Sequence, residues 1–223
     1  MKKIYIITGN DEWLTHVLIN RLLPLYQVVL IKVKSNSFDF LKQIKIIILI
    51  GLIDFLKILV IQYKKKDYKI IKTEKNFLNN YLKKINKNKI FLINFPYKIN
   101  SCFKNIYNCH PSLLPNYKGL LPIQRNMFDR LFNHKKINFG LTIHKLEENF
   151  DDGKIIWNKS IKLNLKKDNK FKKIYEKIYE NFFYGINQIY SKKKIRYVKI
   201  KNEKNSKLSI SFFEILLLKM KIL

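Results

Sequence analysis

A short β-branched and aromatic run, Lys3–Thr8, ends at Gly9-Asn10-Asp11; helical spacing follows over residues 12–23, then a second run, Gln27–Val33. Asp11 can cap the helix and Pro24 ends it, so the order is strand, turn, helix, strand. An opening of this length is the start of a right-handed βαβ unit, and such units assemble into parallel sheets covered by helices. The fold class that follows is α/β: a Rossmann-like, mostly parallel twisted sheet with helices on both faces. The loop after the first strand is no dinucleotide fingerprint, because Thr8-Gly-Asn-Asp-Glu-Trp13 has one glycine where that motif needs three.

The remaining chain punctuates in the same style. Ile44–Gln62 is its most apolar stretch, but Lys45, Asp54 and Lys57 interrupt it. A span needs about 20 predominantly apolar residues, so this stretch reads as a buried or amphipathic helix. Peripheral contact with a membrane surface is the alternative, since Lys64-Lys-Lys66 beside it suits anionic lipid. Residues 63–88 are rich in Lys and Asn, with a helix over roughly 75–86. Strands are expected at 89–95, 106–108, 139–145 and 154–161, and helices at 122–132 and 170–190. The tail alternates at Ile195–Lys201 and turns apolar at Phe212–Leu218.

A chain of 223 residues is most simply one domain with a real core. Its net charge of +29 invites a nucleic-acid partner. Only Arg21, Arg125, Arg130 and Arg196 are arginines, however, and alanine is absent. Excess Lys, Ile and Asn with little Arg or Ala is the mark of an AT-rich genome, and bidentate phosphate or base recognition favours Arg. The scattered lysines therefore read as a solvated surface, and nucleic acid is not the favoured partner. Cys102 and Cys109 lack metal-ligand spacing, and the N-terminal apolar run is too short for a signal peptide, so a reduced, cytoplasmic protein is expected.

The chemistry concentrates in Asn108-Cys-His-Pro-Ser-Leu-Leu-Pro-Asn-Tyr-Lys-Gly119 and in the acidic run Glu147-Glu-Asn-Phe-Asp-Asp-Gly153. On a strand, residues i and i+2 share a face, so Asn108 and His110 point together while Cys109 points into the core. Pro111, Pro115 and Gly119 then impose a loop. An amide donor, an imidazole and a carboxylate from the second run make an acid–base site with an oxyanion donor. Cys109 has no base on its face and is excluded as a nucleophile. His144 shares a face with Thr142 and is read either as a substrate contact or as structural.

These residues resemble the signature of the 10-formyltetrahydrofolate-dependent formyltransferases. Its blocks are Asn108 to Pro115, Gly119-Leu-Leu-Pro-Ile123, Gly140-Leu-Thr-Ile-His144 and Asn149-Phe-Asp-Asp-Gly153, dense over residues 105–160. The resemblance implies the formyltransferase fold, with a catalytic domain over 1–165 and a C-terminal helix and tail, 166–223, packed on it. It implies 10-formyltetrahydrofolate as formyl donor and a primary amine as acceptor. Asn108 would hold the oxyanion, His110 would shuttle protons, and Asp151 would raise the His110 pKa and order a water between them. Phe95, Pro96, Tyr97, Lys98 and Ile99 would line the pterin pocket, unless they are an ordinary strand-to-loop edge. Glu147, Glu148, Asn149 and Phe150 would complete that pocket, and Asn10, Trp13, Tyr117 and His144 would meet the acceptor. No metal is implied.

Among acceptors, the resemblance expects a phosphate loop after the first strand in the glycinamide ribonucleotide enzymes. Asp11-Glu-Trp13 puts carboxylates there instead, an electrostatic misfit. The methionyl-tRNA enzymes carry a further C-terminal barrel, for which no counterpart is recognised beyond about residue 165. The expected acceptor is therefore a nucleotide-linked amino sugar. Formylation of glycinamide ribonucleotide or methionyl-tRNA is the alternative, and a non-catalytic polyanion- or membrane-surface-binding relative is the second. Homodimerisation through the C-terminus is left open.

Overall fold

The computed structural model describes residues 1–9, 12–34, 48, 67–95, 97–99, 103–119, 121–134, 138–147, 151–163, 171–191 and 211–222. The readings of a helix within 44–62, residue 48 apart, and of a strand at 195–201 lie outside them, as do Asn10, Asp11, Pro96, Cys102, Glu148, Asn149 and Phe150. Among the described residues seven strands follow in chain order: β1 (Lys2–Thr8), β2 (Tyr26–Lys34), β3 (Lys69–Glu74), β4 (Ile90–Ile93), β5 (Ile106–His110), β6 (Phe139–Lys145) and β7 (Ile155–Ile161). The helices are α1 (Glu12–Leu22), α2 (Lys75–Ile85), α3 (Pro122–Phe132), α4 (Phe171–Ser191) and α5 (Phe212–Ile222). Among the described residues no helix is long and apolar enough to cross a membrane.

The strands form one sheet in the order β3-β2-β1-β4-β5-β6-β7. β1 to β5 run parallel, and β6 and β7 pair antiparallel at one edge. The chain winds outward from β1 to β3, then crosses β1 to continue from β4, so the strand order reverses between β1 and β4. In open α/β sheets, ligands bind outside the carboxyl ends of the strands at such a reversal.

Strand pleating sorts the core into two clusters. Ile4, Ile6, Val28, Leu30, Phe91, Ile93, Tyr107 and Cys109 face one side, where α1, α3, α4 and α5 bring Leu18, Met127, Ile178, Phe182 and Ile215 onto them. Tyr5, Ile7, Val29, Ile31, Ile90, Leu92 and Ile106 face the other side, covered by Leu78, Leu82 and Ile85 of α2. Helices on both faces of a mostly parallel sheet is the expected class.

β3 escaped the sequence reading. It is an edge strand whose residues, Lys-Ile-Ile-Lys-Thr-Glu, are exposed or half-buried, and charged side chains of this kind keep edge strands from pairing with other molecules. β4 is shorter than the expected 89–95, because Asn94 adopts a left-handed backbone (φ 49°) and ends it.

Candidate active site

β5 sets the site. It pairs with β4 (Leu92 opposite Asn108) and with β6 (Asn108 opposite His144, His110 opposite Thr142). Tyr107 and Cys109 enter the α1/α4 core, so the pleat sends Asn108 and His110 to the other face with Ile106. Burial pushes the Cys109 thiol well up, in keeping with an inert core cysteine.

The loop after β5 is tied to β6. The Thr142 hydroxyl donates to the Ser112 carbonyl at 2.7 Å and accepts from the Leu114 N–H at 3.1 Å, and the Leu114–Pro115 bond is cis. Ser112 Oγ donates to the Asn116 carbonyl at 2.7 Å. These residues are loop architecture, as read from the sequence. Tyr117 then takes a left-handed conformation (φ 56°), and its carbonyl accepts from His110 Nε2 at 2.9 Å. A carbonyl only accepts, so Nε2 carries the proton and the neutral ring leaves Nδ1 bare.

Asp151 gathers the cluster. Its Oδ1 accepts from Asn108 Nδ2 at 2.9 Å and lies 3.3 Å from both His110 Nδ1 and His144 Nε2. Its Oδ2 accepts the Gly119 N–H at 2.8 Å. The carboxylate, an acceptor, fixes the Asn108 amide with Nδ2 toward it. His144 Nδ1 donates to the Lys145 carbonyl at 3.0 Å, so its Nε2 accepts from the same Asn108 nitrogen at 3.1 Å. Both Asn108 amide hydrogens are thus engaged.

Electrostatics follow from burial and these partners. Burial alone would raise the Asp151 carboxyl; its closeness to the His110 and His144 imidazoles, whose protonated forms it would pair with, and the Gly119 N–H together outweigh it and hold the group well below the usual carboxylate range. For His110 burial dominates, and it lowers the pKa despite Asp151 and the Tyr117 carbonyl. Asp151 does pull it upward, as the sequence led us to expect, but the residue is 4% exposed and desolvation of the cation outweighs that attraction.

Asn108, His144 and Asp151 form the polar base of a cleft. Phe95, Tyr97, Lys98, Ile99 and Glu147 line it, with Leu92 and Leu146. The structure therefore brings every described residue of the expected pterin pocket to one place. His110 does not border the cleft; it stands against Asp151. Tyr117 does not border it either, since its hydroxyl donates to Asp129 Oδ2 at 3.0 Å. Trp13 falls in the first turn of α1. Asp152 pairs with Lys118.

Sequence reasoning missed the backbone groups of Tyr117, Gly119 and Lys145, which leave no residue-type signature beyond the glycine. It also missed Arg125. That guanidinium is buried, donates to the Lys118 carbonyl and lies 5.5 Å from the Tyr117 ring centroid, holding the loop on α3.

Residues 64–182, more than half of the chain, match the formyl transferase family. The chain belongs to that family. A methionyl-tRNA formyltransferase of Thermosipho melanesiensis is 38% identical over 72 residues, which are 32% of this chain and 22% of that protein. The match thus spans about a fifth of that formyl transferase's length. In fold, the chain is similar to the N-formyltransferase of Helicobacter canadensis, solved with folinic acid and dTDP-3-aminofucose. The TM-score is 0.58 at 18% identity, over 100% of this chain and 80% of that one. It is also similar to a phosphoribosylglycinamide formyltransferase of Anaplasma phagocytophilum (TM-score 0.54, 15% identity, 84% and 85% covered).

Proposed function

We propose that the chain transfers a formyl group from 10-formyltetrahydrofolate to the amine of a nucleotide-linked amino sugar, with Asn108, His110 and Asp151 as the acting residues. The observation that carries the chemistry is the Asn108–Asp151–His144 base of the cleft, with His110 against the same carboxylate oxygen. Apolar side walls with a few polar groups at one end suit a flat heteroaromatic ligand. In this conformation the cleft holds about 20 Å³, room for about one water, so a pterin fits only if its walls part.

The amine nitrogen attacks the formyl carbon, and the carbonyl oxygen becomes an oxyanion. Asn108 meets that charge by turning the N–H it gives to His144 toward the oxygen, while its bond to Asp151 holds the amide in place. The proton lost by the amine passes by way of the Asp151 carboxylate to His110 Nδ1. The imidazolium formed there is paired at once with Asp151. Collapse breaks the bond from the formyl carbon to the folate nitrogen, which takes the proton back. A neutral His110 at neutral pH is the form this step requires.

The amino-sugar acceptor is supported by fold likeness along the whole chain to an enzyme solved with dTDP-3-aminofucose, against 84% for the glycinamide ribonucleotide enzyme. A second reading, methionyl-tRNA as acceptor, is favoured by the 38% identity over 72 residues. Turnover of 10-formyltetrahydrofolate against dTDP- and UDP-amino sugars, glycinamide ribonucleotide and charged initiator tRNA separates them. We expect turnover with an amino sugar, reduced about 10²- to 10⁴-fold in His110→Ala. Formylation of tRNA alone moves the assignment to the second reading, and folded protein without turnover on any acceptor overturns both.

A further inference from the structure

Across the sheet from the cleft, α4 carries Tyr175 and Tyr179 one turn apart, with ring centroids 6.4 Å from each other. Each phenol is hydrogen-bonded to a side-chain amide: Tyr179 donates to Asn94 Oδ1, and Gln124 Nε2 donates to Tyr175. In both amides the other polar atom, Asn94 Nδ2 and Gln124 Oε1, is buried and has no hydrogen-bond partner among the described residues. Gln124 is 1% exposed. An unpaired buried polar atom is costly, and two beside one tyrosine pair call for a reason.

Their position supplies one. Asn94 is the first residue after β4, one step past the last β4–β5 pair, Ile93–Cys109, and β4 borders the reversal of strand order. Its left-handed backbone sends its side chain to Tyr179 on the α4 side, while its neighbour Phe95 lines the cleft on the other. Asn94 thus stands at the strand ends between the proposed donor cleft and the opposite face. Gln124 lies in the first turn of α3, directly after the loop that carries Gly119.

We propose that Asn94 and Gln124 are the acceptor's specificity residues and hold adjacent hydroxyls of its sugar ring. This rests on the amino-sugar reading above and deepens it. One free donor and one free acceptor match hydroxyl groups, which accept from Asn94 Nδ2 and donate to Gln124 Oε1. The tyrosines fix both amides by occupying their other ends, so the free atoms are preoriented. A site built to hydrogen-bond hydroxyls also rejects analogues lacking them, because its buried polar atoms are then left unpaired.

The test is direct binding on the full chain, by calorimetry, of a dTDP-linked amino sugar and, separately, of 5-formyltetrahydrofolate. Asn94→Asp removes the free N–H and keeps the oxygen that Tyr179 uses. Gln124→Met removes the free oxygen together with the N–H given to Tyr175, and keeps the volume. We expect each to weaken sugar-nucleotide binding by roughly tenfold and leave folate binding unchanged. Melting temperatures accompany each titration. Sugar-nucleotide binding unchanged in both variants, with a raised melting temperature in Gln124→Met, overturns the subsite and leaves the two atoms as packing defects. Folate binding with no sugar-nucleotide binding in the parent chain also overturns it, while leaving folate-dependent transfer standing. A bound sugar, weakened by both substitutions but never formylated, upholds the subsite and removes the transfer reading.

Discussion

At the scale of single residues, Asp151 and His110 make opposite demands on pH. The Asp151 carboxyl is depressed in the fold, so its contribution to stability is present above the unfolded value of about 3.9 and lost as pH falls toward the folded one. His110 is also depressed, but as a base. Its unfolded form takes up protons below about 6.5 while the folded ring stays neutral, so stability falls as pH drops from there. Urea melts of the parent chain are therefore expected to lose stability between pH 7 and 5, and His110→Gln, which can still donate to the Tyr117 carbonyl, is expected to flatten that loss. An unchanged slope in His110→Gln would exclude His110 as its source. Asp151→Asn keeps the side chain's shape and removes the charge that receives the His110 proton. Turnover is expected to fall about 10²- to 10⁴-fold, and a variant within a fewfold of the parent excludes Asp151 from the proton path.

At the scale of elements, the turn between β6 and β7 delivers Asp151. The residue sits in a left-handed conformation (φ 57°), which Asp tolerates, and Lys145 N–H bonds the Lys154 carbonyl at 2.9 Å to close the turn. Gly153 permits that closure. A Cβ there would lie 1.6 Å from the Lys145 carbonyl oxygen, the carbonyl next to the one edge of His144 that it also meets, at 3.0 Å from Nδ1. Gly153→Ala is therefore expected to cost about 2 kcal/mol or more in urea melts and to displace Asp151, with turnover falling alongside. A stable, active Gly153→Ala would show that the turn has slack. This element also shows how much was legible in the chain. The pairing of β6 with β7 around an acidic turn, and Asn108 with His110 on one face, follow from period-two patterning, which strands obey locally. What stayed hidden was tertiary: the direction in which His110 titrates depends on burial by loops distant in sequence, and the Tyr117 and Lys145 carbonyls act through backbone atoms common to every residue. β3 was missed because an edge strand needs no apolar pattern.

At the scale of the whole molecule, the net charge of +29 has to be reconciled with a small-molecule site. Scattered lysines produce a positive field that draws any anion, and both proposed substrates are anionic: folate through its glutamate, the acceptor through its diphosphate. Such a field raises encounter rates at low salt and is screened over about 8–10 Å near physiological ionic strength. Its signature differs between acceptors. A diphosphate offers one or two charges to neutralise, so log affinity should fall with log salt at a slope of about one or two. RNA bound along its backbone releases many counterions, and six to ten contacts cost about 10³- to 10⁵-fold in affinity between 50 and 200 mM salt. Titrating a dTDP-amino sugar and initiator tRNA across that range is expected to give a shallow line for the sugar nucleotide. For tRNA we expect only weak binding, with affinity lost as salt rises. Tight tRNA binding that survives 200 mM salt would mean shape-specific contacts beyond a solvated lysine surface, and would place the acceptor among the tRNAs.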